Sequence, residues 1–172
     1  MEKLTVFVGG PIQYASGDGH ATFDRRLRAQ IEATHDHLSR LGVRVLSAHL
    51  AERFGAGQVP TPSEVTHRDL TYMRQSDVYV AVLPLSDDGP YRTDGTHVEL
   101  GWATALNVPV VILWDTEGAE RYSFLVRGLA AAGLAVFVDI SAFEADPGTL
   151  LQALRDLSVV PDRDDIPAGA LA

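Results

Sequence analysis

Val78-Tyr-Val-Ala-Val-Leu83 and the polar stretch that soon follows it, Ser86-Asp-Asp-Gly-Pro-Tyr-Arg-Thr-Asp-Gly-Thr-His-Val-Glu-Leu-Gly-Trp-Ala103, decide how this chain folds. A short, continuous apolar run rich in Val fits a strand buried on both faces, the form strands take in a parallel sheet. The stretch after it begins with turn-forming residues and ends in a helical pattern. That sequence of strand, polar loop and helix is the repeating unit of an α/β fold.

The same unit recurs on either side. Leu4–Gly9, Val43–Leu46, Val108–Leu113 and Leu134–Ile140 are further short apolar runs. Helical patterns lie between and after them at Ala21–Leu41, Pro62–Gln75, Thr96–Leu106, Ser123–Ala132 and Pro147–Leu157. In the first helix Phe23, Leu27, Ile31, Leu38 and Leu41 fall near one face, with Asp24, Arg25, Arg28 and Glu32 opposite. Gly42 and Gly133 are placed to end the first and fourth helices. The alternation predicts one doubly wound α/β domain, Rossmann-like or flavodoxin-like, over residues 1–160. Its five-stranded, mainly parallel sheet carries helices on both faces. A flexible tail is expected at 161–172, where charge, Pro and small residues collect.

Composition narrows the partners. The 172 residues carry 14 Lys+Arg against 23 Asp+Glu, a formal net charge of -9. Binding of a nucleic-acid backbone is not expected, because that needs clustered cations. Cys is absent, which excludes disulfides, thiolate zinc sites and a Cys nucleophile. No apolar run approaches the ~20 residues of a membrane span, and MEKLTVFVGG reads as a first strand. A cytoplasmic protein with no membrane contact is expected. His35 and His37, two apart on a helix, do not share a face, so no metal site is expected there.

In an open α/β sheet ligands bind beyond the carboxyl ends of the strands, so the loops after the first and third strands draw attention. The first, Gly9-Gly-Pro-Ile-Gln-Tyr-Ala-Ser-Gly-Asp-Gly-His20, suits a phosphate or ribose cradled by backbone N–H groups, or simply a chain reversal. It matches neither the dinucleotide fingerprint nor a P-loop. In the third-strand loop, Glu99 is expected in the first turn of the following helix. There the helix dipole would keep it ionised and fit to act as a nucleophile. A purely structural role is the alternative, since Thr96 and Glu99 fit the S/T-x-x-E capping box. Gly101 is read as allowing close packing.

Thr96-His-Val-Glu-Leu-Gly-Trp-Ala103 resembles the Glu-Leu-Gly signature of the nucleoside 2-deoxyribosyltransferase superfamily. It is most similar to the nucleotide N-glycosidase branch, the CMP hydrolases and the deoxynucleoside 5'-monophosphate N-glycosidases. Val6-Phe-Val-Gly-Gly-Pro11 and His67-Arg-Asp-Leu70, ahead of Ser76-Asp-Val-Tyr-Val-Ala81, support the resemblance, which runs from Leu4 to Gly128.

The resemblance implies that Glu99 attacks the anomeric carbon and that Asp69 is a second carboxylate near base and ribose. Phe7, Gly9, Gly10, Pro11, Ile12, Gly95 and His97 would face the substrate. Phe7 stands where several members carry a Tyr near the nucleophile, so one hydroxyl is missing. Thr93, six residues before Glu99, stands where transferases acting on nucleosides carry an Asp and nucleotide hydrolases a hydroxyl residue. A Thr can donate to a phosphate that an Asp would repel. Ser123 aligns with a Ser that reaches a neighbouring subunit's phosphate, implying a homodimer, although an N-cap role also explains it.

The implied reaction is hydrolysis of a nucleoside 5'-monophosphate, a small-molecule substrate, with no cofactor and no metal. The rivals are base exchange by a nucleoside 2-deoxyribosyltransferase, a phosphoribohydrolase suggested by Gly95-Thr96-x-x-Glu99, and a nucleotide-binding domain without catalysis.

Overall fold

A computed structural model describes residues 3–12, 25–55, 60–87, 89–91, 93–157 and 159. Most of the first loop (13–20), the first residues expected in the first helix (21–24), Arg92 and the tail 161–172 lie outside the described residues.

Five strands, β1 (Thr5–Gly9), β2 (Arg44–Ser47), β3 (Val78–Leu83), β4 (Val110–Trp114) and β5 (Val136–Asp139), form one sheet in the order β2-β1-β3-β4-β5. Every pairing is parallel. The helices are α1 (Arg25–Arg40), α2 (Ala48–Ala51), α3 (Pro62–Gln75), α4 (Asp94–Ala105), α5 (Phe124–Ala131), α6 (Ile140–Ala145) and α7 (Gly148–Asp156). The expected doubly wound α/β domain is therefore present.

Strand periodicity divides the core into two layers. Val6, Val8, Val78, Val80, Val82, Val111 and Leu113 pack with Leu27, Ile31 and Leu38 of α1 and with residues of α6 and α7. On the opposite face Phe7, Tyr79, Ala81, Leu83, Val110 and Ile112 pack with Met73 of α3, Leu100 and Ala103 of α4 and Val126 of α5. Each apolar side chain buried in these layers contributes about 1.5–3 kcal/mol relative to exposure. All residues of β1 and β3 are buried, whereas the edge strands β2 and β5 are buried only in part. A both-faces-buried reading thus holds for the centre of the sheet and not for its edges.

Local chemistry sets the ends of the elements. Gly42 and Gly133 adopt φ of +77° and +69°, a left-handed conformation that closes the helix before each of them. A capping box is formed at α3: Thr61 Oγ1 accepts from Glu64 N, and Glu64 accepts from Thr61 N. The expected strand to Ile140 stops at Asp139, whose carboxylate accepts from Ala142 N at 2.9 Å and caps α6. The first turn of α4 also differs from expectation. It starts at Asp94 with Thr93 as the flanking residue, because an Asp in the first turn is favoured by the helix dipole. Thr96 is then inside the helix, and no capping box joins it to Glu99.

Candidate active site

β1 and β3 lie side by side with Phe7 paired to Tyr79 and Gly9 to Ala81. Phe7 and Tyr79 therefore point to the same face, and their rings meet at a centroid distance of 5.2 Å. The Tyr79 side chain reaches Glu99 on α4, donating its hydroxyl to Oε2 at 2.5 Å. Both residues are buried. Gly9, the last residue of β1, closes the third side. A Cβ there would fall well inside van der Waals contact with the Tyr79 hydroxyl and 2.5 Å from Glu99 Oε2. Glycine is required at this position by that close approach rather than by its backbone angles.

Glu99 lies in the second turn of α4 and not the first, so its expected low, dipole-stabilised ionisation is replaced by the opposite. Burial pushes its carboxyl up to about 8. The Tyr79 hydrogen bond opposes that rise, the charge of Asp69 adds to it and Arg68 subtracts from it. Tyr79 itself is held well above the ordinary phenol range, first by burial and then by the charge of Glu99.

Asp69, eight residues into α3 counting from Pro62, is brought to the site and buried, rather than solvated. Arg68 Nε donates to its Oδ1 at 2.8 Å, and Arg68 Nη2 donates to Glu52 Oε1 at 2.8 Å. Burial raises the Asp69 carboxyl, with the bond and charge of Arg68 pulling the other way.

Thr93, His97 and Ser123 come together elsewhere, around a cavity of about 280 Å³ beyond Leu83 and Pro84 at the end of β3. Thr93 flanks the start of α4 and Glu99 lies six residues on, a rise of about 9 Å at helical spacing. His97 Nδ1 lies 2.8 Å from both the Thr93 carbonyl and its Oγ1. A carbonyl can only accept, so Nδ1 carries the proton and the Thr93 hydroxyl hydrogen stays free to donate. Ser123 is the N-cap of α5, accepting from Val126 N at 3.3 Å, and its own O–H is likewise left to donate.

Of the first-loop residues, Gly10 is buried and a Cβ there would press on the Val82 carbonyl at 3.1 Å. The Pro11 carbonyl accepts from His49 Nε2 at 3.2 Å, and Ile12 is half-buried. Gly95 and Gly101 are exposed with open space where a Cβ would sit, so the close packing expected at Gly101 is absent. Trp102 is packed against the core, and the Trp114 ring meets that of Phe137 at a centroid distance of 4.4 Å with the planes tilted by 56°. Among the described residues no group of three or more His, Asp or Glu is placed to hold a metal ion. Nor is any helix long and apolar enough to cross a membrane.

With this geometry in place, the comparisons decide the family. The nucleoside 2-deoxyribosyltransferase family model matches residues 14–129. The chain belongs to that family. The solution structure of BlsM has a TM-score of 0.69 and 30% identity to it, covering 95% of this chain and 97% of BlsM. The Clostridium botulinum CMP N-glycosidase BcmB shares the fold, with a TM-score of 0.55 and 18% identity over 91% of this chain and 99% of its own. A conserved protein from Enterococcus faecalis V583 does so at 0.58 and 14%, over 91% and 99%. No curated protein sequence gave a significant match. Members of the family act on nucleosides or nucleotides, by transfer or by glycosidic cleavage.

From the sequence no role falls to Tyr79 or Arg68, which stand there only within quoted motifs, and none to Glu52. Parity within β3 gave a signal for Tyr79: a residue paired with Phe7 faces the same side, so its hydroxyl is available where Phe7 has none. Glu52 and Arg68 meet across 16 positions, a contact that no local pattern announces.

A family carboxylate held above its ordinary range has a consequence for stability. Between the ordinary value of 4.5 and about 8 the folded state binds the Glu99 proton more tightly than the unfolded chain does. Its contribution to stability is therefore full below 4.5 and is lost as pH rises towards 8. Glu99→Gln should melt above the wild type near pH ~9, at about 2–4 °C per kcal/mol, and no higher near pH ~4. Differential scanning calorimetry at the two pH values checks this.

Proposed function

We propose that the chain hydrolyses the N-glycosidic bond of a nucleoside 5'-monophosphate, giving free base and ribose or deoxyribose 5-phosphate. The observation that carries this reading is the buried Glu99 carboxyl with one oxygen held by Tyr79 and the other left to react. Glu99 Oε1 attacks the anomeric carbon as the bond to the base breaks. The electron pair goes to the base nitrogen, which takes a proton. Water then attacks the same carbon, the sugar–enzyme ester breaks, and Glu99 leaves as a carboxylate. The transition state carries positive charge on the sugar, which the Glu99 and Asp69 carboxylates favour. Asp69 also assists the proton transfers or orients Glu99.

Nucleotide rather than nucleoside is favoured by Thr93. Its hydroxyl hydrogen is free, and the cavity it lines also holds the Ser123 hydroxyl. Gly9, Gly10, Pro11 and Ile12 would line the sugar side, with Gly95 and His97 near the phosphate. The reading needs neither metal nor cofactor. A homodimer belongs to the same proposal. Phe124 and Leu125, next to Ser123, are 84% and 86% exposed, and sedimentation velocity reports on whether they join two copies. The family description supports a second reading, transfer of the sugar to another base, which appears as a new nucleoside when a second base is supplied.

Glu99→Ala should lower base release from a panel of ribo- and deoxynucleoside monophosphates by at least about 10³-fold, read by chromatography of the free base. Equal release by mutant and wild type ends the proposal. Because the free enzyme must ionise Glu99 before it attacks, kcat/KM should climb with pH through about 8. Tyr79→Phe removes the hydrogen bond that favours the carboxylate, so the climb should move to higher pH. Thr93→Asp places a negative charge beside the phosphate and should shift preference from nucleotide to nucleoside by about tenfold or more. Competition between CMP and cytidine measures that ratio.

A further inference from the structure

The proposed reaction does not use Glu52. This residue follows α2, sits 5% exposed, and accepts from Arg68 Nη2 at 2.8 Å. The same guanidinium donates from Nε to Asp69 Oδ1 at 2.8 Å and from Nη2 to Oδ2 at 3.3 Å. Three charged groups from two distant parts of the chain are thus joined beneath the site. Such a group is a poor device for stability alone, because apolar residues of the same volume do as well or better.

Its geometry suggests another purpose. Arg68 and Asp69 are consecutive on α3, and consecutive side chains on a helix diverge. For the Arg68 fork to fold back onto its neighbour, something outside the helix must hold its far end. Glu52 does so, from the segment after β2. The arginine side chain is 19% exposed, so without that anchor water offers it an alternative. Asp69 would then be a buried carboxylate with its hydrogen-bond donor gone, and such groups take up a proton. Among the described residues, the ionisable groups whose charges bear on the cluster include Glu99 from α4, Tyr79 from β3 and, next to Arg68, His49 from α2.

We propose that Glu52 is a positioning residue of the Glu99 site: acting through Arg68, it holds Asp69 as an oriented anion beside Glu99. This rests on reading Glu99 and Asp69 as the reacting carboxylates, and it adds a residue outside the signature that the family resemblance supplied. It also gives α2 a function, since that short helix is what carries Glu52 from the end of β2 to the base of α3.

The test titrates Asp69 and Glu99 by carboxyl ¹³C NMR in the full chain without substrate, alongside kcat/KM. Glu52→Ala should release Arg68. Asp69 should then titrate higher by about one pH unit or more, and Glu99, no longer favoured as a carboxylate by the nearby guanidinium, should titrate no lower than in the wild type. Glu52→Gln keeps an oxygen for Arg68 and should leave Asp69 at or below its wild-type midpoint, with activity within about threefold. Arg68→Met should reproduce the Asp69 shift of Glu52→Ala, and adding Glu52→Ala to Arg68→Met should raise the Asp69 midpoint no further.

Unmoved midpoints in Glu52→Ala overturn the proposal. So does a fall of both midpoints, which is the mark of one lost negative charge with Arg68 still in place. If Glu52→Ala does not fold, a rise of the Asp69 midpoint in Glu52→Gln overturns it, and an unchanged or lower midpoint with retained activity supports it. The titrations need no turnover, so absence of base release with shifted midpoints defeats the hydrolase reading and leaves the Glu52 relay standing.

Discussion

The hydrogen bond from Tyr79 to Glu99 is the contact on which the site depends. A carboxylate removed from water carries a desolvation cost that a single neutral donor offsets only in part. The outcome is a carboxyl held at about 8 instead of the usual carboxylate range. For the nucleophile proposed at Glu99, which would become an ester and then leave, this is a workable compromise. A more basic carboxylate attacks more readily, and the phenol donor supports it again as it departs. The strand pairing, the missing side chain at Gly9 and the position of α4 all serve to bring these two groups together in one dry place.

Helix α4 links that place to the cavity at the end of β3. Its first residues meet Thr93 and the polar end of the site, and its second turn carries Glu99. Glu99 follows Thr93 by six residues, a rise of about 9 Å at helical spacing, and a rigid helix keeps the two parts of the proposed site at a fixed interval as no flexible loop would. The net charge of -9 makes the local arrangement more demanding, because the substrate proposed is itself an anion. Free hydroxyl hydrogens on Thr93 and Ser123 meet that demand without any net positive charge on the molecule. In the proposed complex they would donate to phosphate, while the oxygen atoms that bear them accept from His97 and Val126.

The fold was legible because burial on both faces writes itself into β1, β3 and β4 as unbroken apolar runs. Pro62–Gln75 and Val78–Leu83 were read with their observed ends, since a capping Thr, a Pro and a strand of continuous apolarity mark them. What was missed was short or depended on distant partners. The strand expectation runs on to Ile140, the first residue of α6, because Val-Phe-Val-Asp-Ile is apolar across the boundary; Ser141–Asp146 reads as a loop, and only the Asp139 cap shows that a helix starts there. The start of α4 was misplaced because Thr93 and Thr96 are both plausible first residues, and the dipole preference of Asp94 settles the choice. Glu99 stood out through its surroundings, but its ionisation could not be read from helix position, because burial by Phe7, Tyr79 and Gly9 is a tertiary fact.

The exchange at Phe7 and Tyr79 shows how such a fact can be anticipated. The resemblance implied a hydroxyl near the nucleophile from β1, and Phe7 lacks it. In a parallel sheet, however, residues paired across strands point to the same face, so a side chain on β3 can occupy nearly the same space as one on β1. Phe7 is paired with Tyr79, and the two rings touch. Moving the hydroxyl one strand over keeps a donor beside Glu99 while leaving an apolar ring where the tyrosine would be. A hydroxyl approaching from β3 reaches Glu99 across Gly9, and that approach explains why β1 must end in a residue without a side chain. The Gly-Gly pair, which reads in the sequence as a phosphate turn, thus has a prior task at its first position: it makes room for the bond that holds Glu99.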